Sequence, residues 1–354
     1  MLDIVESYLR EFVAPQASAI DSDANALRAA LKGLGSRYAL ALRVPQAWGG
    51  AELSEEIFRS FQEMVARYSG ALAFLQTQHQ SAAAMLAQSE NDSLKRQYLP
   101  YMGSGQVLVG VGFSHLRRQG TPTVKAYPVE GGYQLDGEVP WVTGGGFFQD
   151  FIVAAVLADG RSVFGVVPFE NTSQEGGGLI ELSAPMPLAA IASTNTVTAQ
   201  LNGFILFDER VVFVKPVGWI HENDRKNVLH QGFFALGCAR AGLDILDAVS
   251  KTKSLPFITE AFKSLNQELA AGRAVMIQDT QHQTLTVAEK LQLRAWAIDL
   301  AVRCAHAAVT VAGGAANHRS SAAQRVYREA LVFTVSGQTT AVMEATLARL
   351  VRSC

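Results

Sequence analysis

Val139-Pro140-Trp141-Val142-Thr143-Gly144-Gly145-Gly146 lies near the middle of the chain. In an extended backbone, Trp141 and Thr143 are two residues apart and point to one face. Trp141 offers a flat apolar plate and Thr143 a short hydroxyl. The glycines that follow let another backbone or a ligand come close. A planar ring with polar edges, such as a flavin, is served by a strand end of this kind. An ordinary half-buried strand running into a glycine turn has the same residues, and the stretch alone does not separate the two. Just upstream, Gly131-Gly132 and Asp136-Gly137 read as the tight turns of hairpins.

Outward from this stretch, residues 106–213 share one texture. Short β-rich runs at 107–113, 151–156, 162–168 and 196–201 are divided by Gly, Asp and Pro, which predicts a small antiparallel barrel or sandwich. Residues 1–105 are helical in period. Leu27, Ala30, Leu31 and Leu34 recur at helical spacing, and Ile57, Phe61, Met64 and Val65 do so behind a Ser54 N-cap. Further helices are expected at 72–86 and 94–102, with 44–50 a loop. Residues 214–354 are helical again, and Thr286-Val287-Ala288-Glu289 and Ser321-Ala322-Ala323-Gln324 have capping-box spacing. The fold class is α+β, in the order helical domain, β domain, helical bundle.

Composition narrows the function classes. The chain is 49% hydrophobic and only 18% charged, which calls for burial in large helix bundles or between subunits. A formal net charge of -2 leaves no basic surplus for a nucleic acid. Cys238, Cys304 and Cys354 are far apart and form no CxxC, so neither a metal site nor a disulfide framework is expected. Residues 1–10 carry Asp3 and Glu6 and lack a signal peptide's apolar core. The apolar run 295–316 is broken by Asp299, Arg303 and His306. It reads as a buried bundle helix with an Asp299–Arg303 pair, not as a membrane span. A cytoplasmic location is the expectation.

Several motifs fail on inspection. Gly110-Val111-Gly112-Phe113-Ser114-His115 begins like a dinucleotide fingerprint but has His115 at the third glycine. Ser114 and His115 are neighbours that face opposite ways on a strand and form no triad. His79, on an apolar helix, is either a satisfied internal histidine or a group lining a pocket. Gly313-Gly314 forms a helix C-cap or admits a ligand phosphate or a neighbouring subunit. Arg325-Val326-Tyr327-Arg328-Glu329 reads as a charged helix face with Tyr327 and Ala330 turned inward.

Taken in order, the pieces resemble the acyl-CoA dehydrogenase superfamily over nearly the whole chain. Val44-Pro45-Gln46-Ala47-Trp48-Gly49-Gly50 is similar to its "VP-x-x-x-GG" segment. Gly132 to Gly137 with Trp141-Val142-Thr143-Gly144-Gly145 resembles its "Y-x-(I/L)-(N/D)-G…W-(I/V)-T-x-G" stretch. Val311-Ala312-Gly313-Gly314 stands where the family has a "GG", and Arg325 to Ala330 resembles its "R-x-x-R-D-A". The resemblance implies an N-terminal helical domain, a central antiparallel β-barrel and a C-terminal four-helix bundle that makes homodimers or homotetramers. It implies FAD, with FMN or no flavin as the alternatives. Ser114, Trp141, Thr143 and Gln338 would serve the cofactor, and Gly313 and Gly314 would touch that of a partner subunit. The family's catalytic glutamate lies in a "Y-E-G-T" turn, matched here by Val335-Ser336-Gly337-Gln338-Thr339, so Ser336 occupies the base position. Asn227 stands at the alternative base position used by some relatives.

Three functions follow. The first is flavin-dependent α,β-dehydrogenation of an acyl-CoA thioester, in which a base removes the α-proton as hydride leaves the β-carbon. The second is a monooxygenase of the same fold that uses reduced flavin and oxygen, with His79 and Ser114 in its pocket. The third is a degenerate homologue that binds without catalysis. The partner expected is an acyl-CoA or another small molecule, with no nucleic acid and no membrane.

Overall fold

Side-chain caps open most of the N-terminal helices. The structure, a computed structural model, describes residues 1–352, and Cys354 lies outside them. α1 (Leu2–Tyr8) runs through a π turn (Leu9–Val13) into α2 (Ala14–Ser22). Asp23 caps α3 (Ala24–Gly35), Ser54 caps α4 (Glu55–Tyr68), Ser69 caps α5 (Gly70–Ala87) and Asn91 caps α6 (Asp92–Met102). In each, a side-chain oxygen accepts a backbone N–H that the first turn cannot satisfy.

Strands then take over: β1 (Val109–Gly112), β2 (Val124–Val129), β3 (Gly132–Val142), β4 (Asp150–Val156), β5 (Ser162–Pro168), β6 (Thr172–Ser173), β7 (Leu179–Leu182), β8 (Val197–Phe207) and β9 (Val211–Lys215). They form one sheet in the order β6-β7-β8-β3-β2-β4-β5-β9, mostly antiparallel, with β1 parallel to β4 at its side. Among the described residues the hydrogen-bonded path is not closed, and the sheet curls over in the manner of the expected barrel. Its layers still face each other: a Cβ on Gly165 of β5 would lie 2.3 Å from Leu206 of β8. Gly131 makes the β2–β3 turn as expected, but Asp136-Gly137 does not turn. The pair lies inside β3 at a register shift against β8, where Asp136 Oδ1 accepts from Gly203 N–H. Gly137 has φ 125°, and a Cβ there would be 2.0 Å from the Thr123 carbonyl, so the dipeptide makes a bulge.

The C-terminal part holds α7 (Trp219–Lys226), α8 (Gly232–Lys253), α9 (Pro256–His282), α10 (Val287–Ala312), α11 (Ala322–Val335) and α12 (Thr340–Arg352). The Thr286–Glu289 capping box forms, whereas the Ser321 side chain makes no cap hydrogen bond. α8 crosses α4 closely, because a Cβ on Gly237 would sit 2.3 Å from the Glu63 carbonyl. The stretch Val287–Asn317 is long and apolar enough to cross a membrane. Here it is a central bundle helix: Arg294 is buried, and Arg303 pairs with Asp299 and Glu268.

The Arg325–Glu329 segment differs from its sequence reading. Tyr327 is exposed, while Arg325 and Glu329 are buried as an ion pair at 2.7 Å. Glu329 also accepts the Gly70 N–H at 2.9 Å, and Arg328 reaches Asp21 at 2.7 Å and the Ala189 carbonyl at 2.8 Å. The apparent surface motif therefore ties α11 to α5, to α2 and to the segment before β8. Burial raises the Glu329 pKa, opposed by the Arg325 charge.

Candidate active site

Where the helical parts meet the sheet there is a cavity of about 740 Å³. Four separate segments bring the expected residues to it: Ser114 from the turn after β1, Trp141 and Thr143 from the end of β3, Asn227 after α7, and Ser336 after α11. Trp141 is 47% exposed, unusual for so large an apolar ring, and offers its plate to the cavity. Thr143 is buried, and its Oγ1 lies 3.0 Å from Thr196 Oγ1, which fixes the hydroxyl. These features fit an isoalloxazine ring: an uncovered aromatic plate with a fixed hydroxyl beside it.

Of the two alternatives read for the glycine run, the structure shows the close approach of another backbone. A Cβ on Gly144 would sit 2.4 Å from the Phe148 ring, and the Gly144 and Gly145 N–H groups donate to the Thr194 and Asn195 carbonyls. At Gly144 the space that glycine leaves is taken by Phe148, whereas a Cβ on Gly146 would meet nothing within 4 Å.

Three candidates lie away from the cavity. His79 is completely buried and lines no part of it. Val109 N–H donates to Nδ1 at 3.0 Å, so Nε2 carries the proton and faces the Met102 carbonyl at 3.1 Å. Burial pushes its pKa down to about 4, which keeps it neutral. It joins α5 to the end of α6 and the start of β1 and has no ring nitrogen left for a substrate. Gln338 is exposed, and its neighbours Gly337 and Thr339 line the cavity instead. Gly313 and Gly314 are exposed at the end of α10, where Gly313 is the C-cap at φ 60°. They reach nothing of this chain's cavity.

Ser336 is 9% exposed, and its hydroxyl donates to the Val332 carbonyl at 2.8 Å. Its N–H donates to the same carbonyl at 2.9 Å. Among the described residues, Asp224 is the carboxylate that lines the cavity. Arg117 holds both its oxygens at 2.7 Å, leaving it poorly placed to accept a carbon-bound proton. Glu222 pairs with Lys226, and Glu344 lies on the surface.

Four charged or ionisable residues were not legible as site residues. Arg43, Arg59 and His230 line the cavity, with Glu55 joined to all three. Arg59 Nη2 donates to His230 Nδ1 at 2.9 Å, and His230 Nε2 meets Glu55 at 3.1 Å. Burial is the main cause that lowers the His230 pKa to about 4. Against the desolvation of burial, the His230 hydrogen bond and the Arg59 and Arg43 charges hold Glu55 well below the usual carboxylate range. Charged positions on an amphipathic helix such as α4 look like a solvated face, so the sequence gives no signal for them. Arg294 is a fifth. It is 1% exposed, and Nη2 donates to the Ser336 carbonyl at 2.8 Å while Nη1 has no partner. Burial alone pushes its pKa down to about 9. An arginine inside an apolar helical run was the available clue.

Comparison with known proteins agrees with this architecture. Residues 1–106 match the family described as acyl-CoA dehydrogenase, N-terminal domain, and residues 254–351 match acyl-CoA dehydrogenase, C-terminal domain. A probable acyl-CoA dehydrogenase of Bacillus subtilis (strain 168) is 20% identical over 98% of this chain and 96% of its own length. Among solved structures, butyryl-CoA dehydrogenase from Megasphaera elsdenii superposes with a TM-score of 0.80 at 16% identity, covering 99% of this chain and 97% of that one. Glutaryl-CoA dehydrogenase from Mycobacterium smegmatis gives 0.82 at 17% identity, covering 98% and 92%.

Proposed function

Because the chain belongs to the acyl-CoA dehydrogenase superfamily, we propose that it is a flavin-dependent oxidoreductase acting on an acyl-CoA thioester, with Ser336 standing where the family carries its catalytic glutamate. One observation carries this reading: a single cavity gathers Trp141 and Thr143, Ser114, and Ser336 from three distant segments. FAD is the flavin proposed. When bound, it supplies the hydride acceptor. Trp141 stacks on the ring, Thr143 and Ser114 offer hydroxyls, and Phe113, Phe213 and Trp219 keep one side of the cavity apolar.

Ser336 is not a substitute for a carboxylate base. Its hydroxyl is spent on Val332, and a neutral alcohol has little affinity for a proton at neutral pH. Positioned general bases contribute about a hundred- to ten-thousandfold in rate, so dehydrogenation of simple acyl-CoAs should be slow by that order. The locked state of Asp224 favours a second reading: a monooxygenase of the same fold, which needs no α-proton base. A non-catalytic binding protein is the third. A second copy of the chain is the partner proposed for the apolar stripe formed by Tyr327, Leu331 and Val335 on α11 and Met343, Leu347 and Leu350 on α12, all exposed here.

The test is the visible spectrum of the purified protein, then anaerobic mixing with a series of acyl-CoAs. Bound flavin that bleaches slowly in the wild type and faster in Ser336→Glu supports the first reading. Bound flavin reduced only by a separate reductase favours the second, and absence of flavin overturns both.

A further inference from the structure

Arg59 and its surroundings give the cavity a chemical character that the reading above leaves unused. A run of contacts leads to it from the Ser336 turn. A Cβ on Gly337 would lie 2.9 Å from Gln231 Cγ, His230 precedes Gln231, and Arg59 Nη2 is 2.9 Å from His230 Nδ1. This wall is polar. Thr77 and Gln231 line the cavity, and neither side chain makes a hydrogen bond among the described residues. Arg59 is 6% exposed; Nε and Nη2 are held by Glu55 and His230, and Nη1 has no hydrogen-bond partner among the described residues. Three fixed or half-buried groups with unspent hydrogen bonds are a poor bed for an alkyl chain.

The charges around the cavity do not balance. Arg117 is matched by Asp224. Glu55 is the one carboxylate set against both Arg43 and Arg59 among the described residues. Arg294, behind Ser336, has none, and its Nη1 is an orphan. Glu55 is taken up by the buried Arg59, so the surplus charge at the cavity is that of Arg43, whose side chain is 37% exposed, and Arg294 adds a second charge behind the Ser336 turn without lining the cavity. Leaving buried charge unpaired is costly unless something else supplies the counter-charge.

We propose that the acyl group received by this cavity ends in a free carboxylate, so that the substrate is the monothioester of a dicarboxylic acid. Arg59 recognises the carboxylate, with Gln231 and Thr77 completing its hydrogen bonds. The contacts to Glu55 and His230 hold the guanidinium in place before the ligand arrives, so little rotamer entropy is lost on binding. Arg294 acts at a distance, adding positive potential behind the Ser336 turn. This inference rests on the acyl-thioester reading.

The experiment measures affinities of the purified protein, as isolated, by calorimetry for succinyl-CoA and glutaryl-CoA against pentanoyl-CoA and hexanoyl-CoA, with free CoA as the baseline. The acidic thioesters are expected to bind about ten- to a hundredfold more tightly than the neutral ones, the range for a hydrogen bond to a charged group. In Arg59→Gln the ratio should fall toward one, and Arg59→Lys should keep part of it. Gln231→Leu, which unpairs no charge, should reduce it more modestly and serves if Arg59→Gln does not fold. Equal or tighter binding of the neutral thioesters overturns this inference alone. If no acyl-CoA binds better than CoA, the acyl-thioester reading falls, and this inference with it.

Discussion

Trp141→Ala should strip the cavity of most of its affinity for flavin while leaving the fold intact. An aromatic side chain of this class buries about 150–250 Å² when fully covered. With 47% of the residue exposed, roughly 100 Å² of indole is free for a ligand to cover. At about 25 cal/mol/Å² this is worth ~2.5 kcal/mol, or ~60-fold in affinity. Ring-on-ring stacking adds ~0.5–1.5 kcal/mol, so a loss of several hundredfold lies within range. The assay is titration of flavin-free protein with FAD, read by quenching of flavin fluorescence, alongside a melting curve for each variant. Trp141→Phe should recover most of the affinity. Since half of the ring touches no protein, Tm should move by only about 2 °C. A change in Kd below about threefold, less than ~0.7 kcal/mol, would show that the indole is no platform. A large fall in Tm would show that Trp141 is a core residue, and the site assignment would go with it.

Removing the buried carboxylate in Glu329→Ala leaves Arg325 unpaired and should cost about 3–5 kcal/mol in urea unfolding. The double change Arg325→Met with Glu329→Leu should recover most of that, and no recovery would speak against a charge effect. Gly237→Ala drives a Cβ to 2.3 Å from the Glu63 carbonyl, so α4 and α8 must separate. The expected loss is ~1–3 kcal/mol from overpacking, only partly offset by the ~1 kcal/mol helix preference of Ala over Gly; a higher Tm would contradict the close crossing. His79 and His115 have folded pKa values near 4, lowered mainly by burial, against 6.5 unfolded. Between those values the unfolded chain binds the extra protons, so stability is full above about pH 6.5 and falls toward pH 4, by up to ~1.4 kcal/mol per pH unit per histidine. Melting curves at pH 7.5 and 5 check this, and a flat profile would be against it. Sedimentation at micromolar concentration should find an oligomer that Leu347→Glu disrupts, whereas a monomeric wild type removes the proposed subunit contact.

What was legible in the sequence was whatever local chemistry controls. Helical period and caps located α4, α5, α6 and α10, and at α4 and α10 the caps Ser54 and Thr286 satisfy N–H groups within one turn of themselves. The Trp141–Thr143 pair was legible for the same reason: strand geometry fixes which face two such residues share. Asp136-Gly137 misled because a bulge and a turn both need a glycine at positive φ, and only the partner strand decides between them. His79 is ambiguous in sequence because its two hydrogen bonds go to residues 23 and 30 positions away. Arg43 and His230 were out of reach because they meet the Glu55–Arg59 pair of α4 across separate segments, which no spacing along the chain encodes, and Arg294 left only the clue of an arginine in an apolar helix.

Glu329 and Gly70 are 259 residues apart in the chain and 2.9 Å apart in space, and Arg328 binds both Asp21 and the Ala189 carbonyl. One turn of α11 is therefore where the first helices, the segment before β8 and the end of the chain are aligned, and Ser336 ends that same helix. During synthesis nothing can form this alignment until residues beyond 329 have been made. A product that stops short of α11 would hold Trp141 and Thr143 on a sheet beside α4 and α5 but without the α11 and Ser336 side of the cavity. The cavity is thus completed late, and ligand capture reports on the docking of α11 rather than on any one domain.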